Sequence, residues 1–240
     1  MKWQRVEPVS SALATFLAAL PPGPRGAEEV GLEEVVGRFS AGEVTCPSDV
    51  PGFARSTVDG YAVAAADTFG AGEALPACLE VVGEVPMGRA PGFRLGPAQA
   101  AAIPTGGQLP EGADAVVMVE HVEVLDRDSV AVLRPVGPGE NVMARGEDFR
   151  AGDVLFGPGH RFRPQDAAAL AAAGITRVAV RRPPRVAVVS TGDELVDPAT
   201  CPGAGQIRES NSAALRAAVR ADGGVPAYLG IVADREEALR

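Results

Sequence analysis

Four short stretches of this chain hold side chains whose types and spacing could do chemistry. Ser190-Thr191-Gly192-Asp193-Glu194 follows the apolar, β-branched run 185–189. That pattern reads as a strand buried on both faces, ending in hydroxyls, a glycine and two carboxylates. In open α/β sheets ligands bind beyond the carboxyl ends of the strands, so Asp193 and Glu194 stand where a metal or an anionic substrate would be held. The same residues suit a helix cap and a tied-down turn equally well. Arg55, Ser56 and Asp59 lie in a stretch rich in proline and glycine, where Asp59-Gly60 is also a common turn dipeptide. Ile103-Pro104-Thr105-Gly106-Gly107 offers an anion a hydroxyl and a glycine-rich backbone. Arg145-Gly146-Glu147-Asp148 puts an arginine and two carboxylates around a glycine turn, which would serve to position a metal-bound anion or to form a surface ion-pair cluster.

The elements around these stretches are read from periodicity and breakers. Apolar spacing predicts a helix over 9–20 with Ser10 or Ser11 as N-cap, stopped by Pro21-Pro22-Gly23-Pro24. A second helix is expected over 28–39, with Val35, Val36 and Phe39 on its apolar side. Residues 44–63 form an extended, turn-rich loop running into a strand at Tyr61. From 75 to 136 short β-branched runs (79–82, 115–119, 130–133) alternate with Gly/Pro/Asp turns, the pattern of a small barrel or sandwich. A strand over 153–156, a helix over 164–173 between Pro164 and Gly174, and a strand over 175–180 come next. Arg181-Arg182-Pro183-Pro184 is then a stiff hinge and the clearest domain boundary. Beyond it a strand, a helix over 212–221, a second strand over 225–232 and a helix opened by Asp234 and Glu237 make the start of a doubly wound domain. Two parallel strands are too few for a layered domain, so the chain is expected to be cut short here.

Composition narrows the function classes. With 240 residues, 46% of them hydrophobic, the chain can bury a core and has length for one or two domains. Its net charge of −9 argues against a nucleic-acid or membrane-surface binder, because phosphate backbones and anionic lipids require clustered Lys and Arg. Cys46, Cys78 and Cys201 are widely spaced and fit a reducing compartment, and His121 and His160 read as structural or surface histidines. With neither a signal-peptide pattern nor an apolar run of spanning length, a cytoplasmic location is expected.

Taken together, the motifs carry a family resemblance. Asp49-Val50-Pro51-Gly52-Phe53, Arg55-Ser56-Thr57-Val58-Asp59-Gly60-Tyr61-Ala62-Val63, Ile103-Pro104-Thr105-Gly106 and Gly112-Ala113-Asp114-Ala115-Val116-Val117-Met118 occur in order. Arg145-Gly146-Glu147-Asp148, Ser190-Thr191-Gly192-Asp193-Glu194-Leu195 and Gly205-Gln206-Ile207 with Ser210-Asn211 follow. From Val9 to Arg240 the sequence resembles the MoeA-type molybdopterin molybdenumtransferases, whose animal counterpart is the E domain of gephyrin.

The resemblance implies a multidomain α+β and α/β fold. It has a small mixed first domain (1–46 plus 145–180), a β-rich, barrel-like second domain (47–144) and the beginning of a doubly wound third domain (181–240). It implies a homodimer that inserts molybdate into adenylated molybdopterin in a Mg²⁺-dependent step and releases AMP. Asp59, Thr105, Asp148 and Glu194 would be catalytic. Arg55, Ser56, Arg145, Ser190, Thr191, Gly192 and Asn211 would bind substrate, and Asp193, Glu194 and Asp234 are the candidate Mg²⁺ ligands. Arg208 would be a further anion contact. Ala54 stands where many relatives have aspartate, and Arg208-Glu209 replaces a common Tyr-Asp pair. Relatives continue into a Ser/Gly-rich phosphate loop and a fourth domain, so these 240 residues alone are expected to show little insertion activity. The competing expectation is a non-catalytic dimerisation or scaffold module.

Overall fold

The computed structural model describes residues 7–20 and 26–239, so the Pro21–Pro24 turn lies outside the described residues. These residues form two compact units. One is drawn from 1–44, 156–168 and 176–240, the other from 45–155 and 169–175.

The first unit begins with helix α1 (Val9–Ala19). Its start is set by Pro8, whose carbonyl accepts the Ser11 and Ala12 N–H groups at 3.0 Å, and no side chain caps it. Ser10 and Ser11 therefore lie inside the helix and do not cap it. None of its residues is buried, and Val9, Leu13, Phe16 and Leu17 present an apolar stripe that is exposed among the described residues. The expected helix over 28–39 is largely replaced. Strand β1 (Ala27–Gly31) pairs with Arg177–Arg181 in an antiparallel ladder, and only the single turn α2 (Leu32–Val35) is helical. Cross-strand pairing overrides a weak helical period here. Only Val35 of the three expected core residues is buried; Val36 and Phe39 are exposed.

The second unit is mostly β structure. After β2 (Val44–Thr45) come β3 (Arg55–Ser56), β4 (Gly60–Val63), β5 (Ala77–Glu84), β6 (Gln99–Ile103), β7 (Ala115–Met118), β8 (Val122–Val124) and β9 (Ser129–Val132). Six of these make one curled half-barrel sheet in the order β7-β4-β6-β5-β9-β8. Alternation along each strand puts core on both faces of the sheet. Val63, Ala100, Val117, Val130 and Val132 fill one cluster, while Ala62, Ala101, Ile103 and Val116 fill the other. Strand β10 (Val142–Met143) pairs with β3, so Asp59-Gly60 is not the turn of a hairpin between β3 and β4.

Strand β11 (Val154–Phe156), helix α3 (Pro164–Ala172) and β12 (Arg177–Arg181) follow, Pro164 being the first helical residue as expected. Asp166 in the first turn of α3 is buried. Its Oδ2 accepts the Arg163 N–H at 2.8 Å and lies 2.7 Å from His160 Nε2.

Beyond Pro184 come β13 (Arg185–Thr191), β14 (Leu195–Val196), β15 (Ile207–Arg208), α4 (Asn211–Ala221), β16 (Val225–Val232) and the short α5 (Glu236–Leu239). β13 and β16 are parallel and α4 packs on them, a β-α-β unit. The expectation that β13 is buried on both faces is corrected: Val188 alone is buried along it, and among the described residues β16 is its only strand neighbour.

Candidate active site

In the second unit the half-barrel brings Asp59 and Thr105 together. Asp59 immediately precedes β4 and Thr105 follows β6, and these strands pair antiparallel with Gly60 opposite Ile103. Asp59 Oδ1 accepts the Thr105 N–H at 2.6 Å and the Thr105 hydroxyl at 3.0 Å. Its own carbonyl accepts the Val119 N–H at 3.1 Å, so the residue is held from both neighbouring strands. The backbone bond from Thr105, then its hydroxyl, holds the Asp59 carboxyl below the usual carboxylate range, leaving it ionised and exposed. Gly60 permits this arrangement, since a Cβ there would lie 1.9 Å from the Val117 carbonyl oxygen.

The remaining candidates of this unit differ in how free they are. Arg55 donates Nε and Nη2 to the thioether of Met143, its partner in the β3–β10 ladder, at 3.3 and 3.1 Å. Arg145 is instead committed to Asp49, Nε to Oδ2 at 2.7 Å, and Asp49 also accepts the Ala151 N–H. Of the two readings of the Arg-Gly-Glu-Asp turn, the arginine thus takes the ion-pair one. Ser56 is buried and its hydroxyl donates to the Val58 carbonyl at 2.5 Å. Asp148 is exposed and makes no side-chain hydrogen bond among the described residues.

In the first unit the C-terminal edge of the parallel pair collects the other candidates. Asp193 Oδ1 accepts the Asp234 N–H at 3.3 Å, so the loops after β13 and β16 meet; no capping-box bond joins Asp234 to Glu237 among the described residues. Glu194 folds back over Gly192, where a Cβ would meet its Oε2 at 2.8 Å and φ is +152°. Asp193, Glu194, Thr191 and Asn211 are exposed. Ser190 is tied to a group the sequence reasoning missed. Glu209, buried before α4, accepts the Ser212 hydroxyl at 2.5 Å and the Ser212 N–H at 2.7 Å. These bonds, with weaker ones from the Ser190 hydroxyl and the Asn211 N–H, hold its carboxyl below the usual range. Glu209-Ser210-Asn211-Ser212 carried the visible signal, an acid three residues ahead of a hydroxyl at a helix start. Among the described residues no three His, Cys, Asp or Glu side chains converge on a metal-sized point.

Residues 7–174 match the model of the MoeA N-terminal region (domain I and II). The chain belongs to the MoeA family. Residues 187–240 match a probable molybdopterin binding domain. Among MoeA relatives, the molybdopterin molybdenumtransferase of Bacillus subtilis is 39% identical over 210 residues, covering 86% of this chain and 49% of that one. Molybdopterin molybdenumtransferase 2 of Mycobacterium tuberculosis is 41% identical over 191 residues, 80% of this chain and 47% of its own. A crystal structure of the molybdopterin biosynthesis MoeA protein from Pyrococcus horikosii superposes with a TM-score of 0.84 at 42% identity, covering 98% of this chain and 59% of that one. The chain thus spans about half the length of the curated relatives it matches. The half-barrel sheet matches MoeA-type structures. Among the described residues no helix is long and apolar enough to cross a membrane.

Proposed function

We propose that this chain supplies the N-terminal part of a molybdopterin molybdenumtransferase, which inserts molybdate into adenylated molybdopterin and releases AMP. The observation that carries the reading is the Asp59–Thr105 pair: an exposed, ionised carboxylate locked by two hydrogen bonds at the edge of a MoeA-type half-barrel. One oxygen is spent on Thr105, and the other is free to orient a water or a molybdate oxygen toward the phosphoanhydride. Arg55 offers an anion a guanidinium that no carboxylate neutralises among the described residues.

Molybdate and the pterin diphosphate are both anionic, so an acidic site requires a cation between them. The donors fit Mg²⁺. Asp193, Glu194 and Asp234 offer hard carboxylate oxygens, and Mg²⁺ takes one or two carboxylates and leaves its other positions to water and substrate phosphates. No three-carboxylate cage is therefore needed. When bound, the ion would neutralise charge building on the phosphate and molybdate oxygens. Glu209 fixes the start of α4 through the Ser212 N–H and hydroxyl, so Asn211 presents its amide from a rigid end. The stripe Val9, Leu13, Phe16 and Leu17, exposed among the described residues, supports a homodimer.

The test is molybdate-dependent AMP release from adenylated molybdopterin by the native gene product. Asp59→Asn and Glu194→Gln should each lower release by about 100-fold or more with the circular dichroism spectrum unchanged. Undiminished release in both variants would remove Asp59 and Glu194 from the chemistry, and no release by the native gene product itself would leave the scaffold reading in place.

A further inference from the structure

A cavity of about 220 Å³ opens beside the Asp59–Thr105 pair, lined by Phe53, Gly88, Arg89, Ala90, Gly106 and Gln108. Gly106 directly follows Thr105 in sequence. The wall is rigid, because the strip around Phe53–Ser56 is stitched to 106–109 by backbone bonds. Leu109 N donates to Ala54 O at 2.9 Å, Ser56 N to Gly107 O at 2.9 Å and Gly106 N to Ser56 O at 2.8 Å. Three side chains of distinct chemistry face the cavity. Phe53 is exposed although only 5% of the chain is aromatic, so its ring is bare for stacking. Arg89 has no ion-pair partner among the described residues, and the lining holds no carboxylate, although the chain carries a net charge of −9. Gln108 brings both a donor and an acceptor in one planar amide.

We propose that this cavity is a subsite for a fused heteroaromatic ring carrying a phosphate: the ring stacks on Phe53, Gln108 reads its edge and Arg89 takes the phosphate. A bare anion would need only the arginine, and an apolar ligand would not need it; the combination selects a molecule with both features. The inference rests on the transferase reading above, whose substrate has such a group at either end, a pterin and an adenylate.

The experiment is amide-resolved NMR titration of the 240-residue chain with AMP, with neopterin monophosphate and with inorganic phosphate. Shifts at Phe53, Arg89 and Gln108 are expected with a ring phosphate, and the tighter of the two names the end of the substrate bound here. Arg89→Ala and Phe53→Ala, both at exposed side chains, should each weaken that binding about tenfold while leaving the rest of the spectrum in place. Three outcomes overturn the subsite: no shifts there, inorganic phosphate binding as tightly as the ring ligands, or both variants binding like the parent. Shifts at this cavity without AMP release by the native gene product would sink the transferase reading and keep the ring-phosphate site. Release without such shifts would sink the subsite alone.

Discussion

Replacing Gly60 by alanine tests the packing that positions Asp59. An ideal Cβ at this position lies 1.9 Å from the Val117 carbonyl oxygen and 2.9 Å from its carbon. Carbon and carbonyl oxygen normally approach no closer than about 3.3 Å, so β4 and β7 must separate by roughly 1.4 Å. Neither strand has room to yield. β4 is held on both edges, by β6 and β7, and Ala62 and Val63 are fully buried in opposite faces of the sheet. Overpacking of this kind costs about 3 kcal/mol. In a unit of this size that corresponds to a melting temperature lower by about 12 °C or more. Differential scanning calorimetry of Gly60→Ala would measure it. Gly92→Ala is the control, since a Cβ there meets nothing within 4 Å; it should melt within about 2 °C of the parent. If Gly60→Ala also melted within about 2 °C of the parent, glycine would not be required at this crossing and the argument would fail.

Two further outcomes follow from the titrating groups. Asp166 is held well below the usual carboxylate range, first by the Arg163 side chain and then by His160 and the Arg163 N–H. A depressed folded-state pKa contributes stability above the unfolded value, about 3.9, that is lost as pH falls toward the folded one. The melting-temperature gap between the parent and Asp166→Asn should thus be widest near neutrality and narrow progressively as pH falls below about 4; a gap constant over this range would refute the assignment. In Thr105→Val the Asp59 carboxyl keeps the N–H bond and loses the hydroxyl, so its titration by carbon NMR should move up toward the ordinary aspartate range. An unmoved titration would mean that the hydroxyl does not bind there.

Much of the fold was legible where side-chain period and tertiary pairing agree. β5, β7 and β9 fall on the β-branched runs, and α3 begins at its proline. Legibility failed where the partner decides. Gln99–Ile103 is three alanines between a glutamine and an isoleucine, a composition that favours helix. It is a strand because β4 and β5 pair with it on either side. Gln99–Ile103 lies in a stretch read as β but outside its marked runs, whereas over 28–39 the expected helix is overturned, its weak helical period losing to the ladder with β12.

The candidate site shows the complementary limit. Motifs located Asp59 and Thr105, but not that a bond would join residues 46 apart in sequence. Nor does a motif say whether a polar side chain is available. Arg55 and Arg145 both looked like anion contacts, and their neighbours separate them. Asp49 meets Arg145 with an opposite charge, whereas Met143 holds Arg55 through a sulfur that orients the guanidinium without neutralising it. A thioether is a weak acceptor that gives way readily to a stronger one. An incoming oxyanion would therefore gain nearly the whole interaction with Arg55, whereas at Arg145 it would first have to displace a carboxylate. The sequence marks both arginines as candidate anion contacts; what lies opposite each one in the fold decides which keeps a guanidinium that no carboxylate neutralises among the described residues.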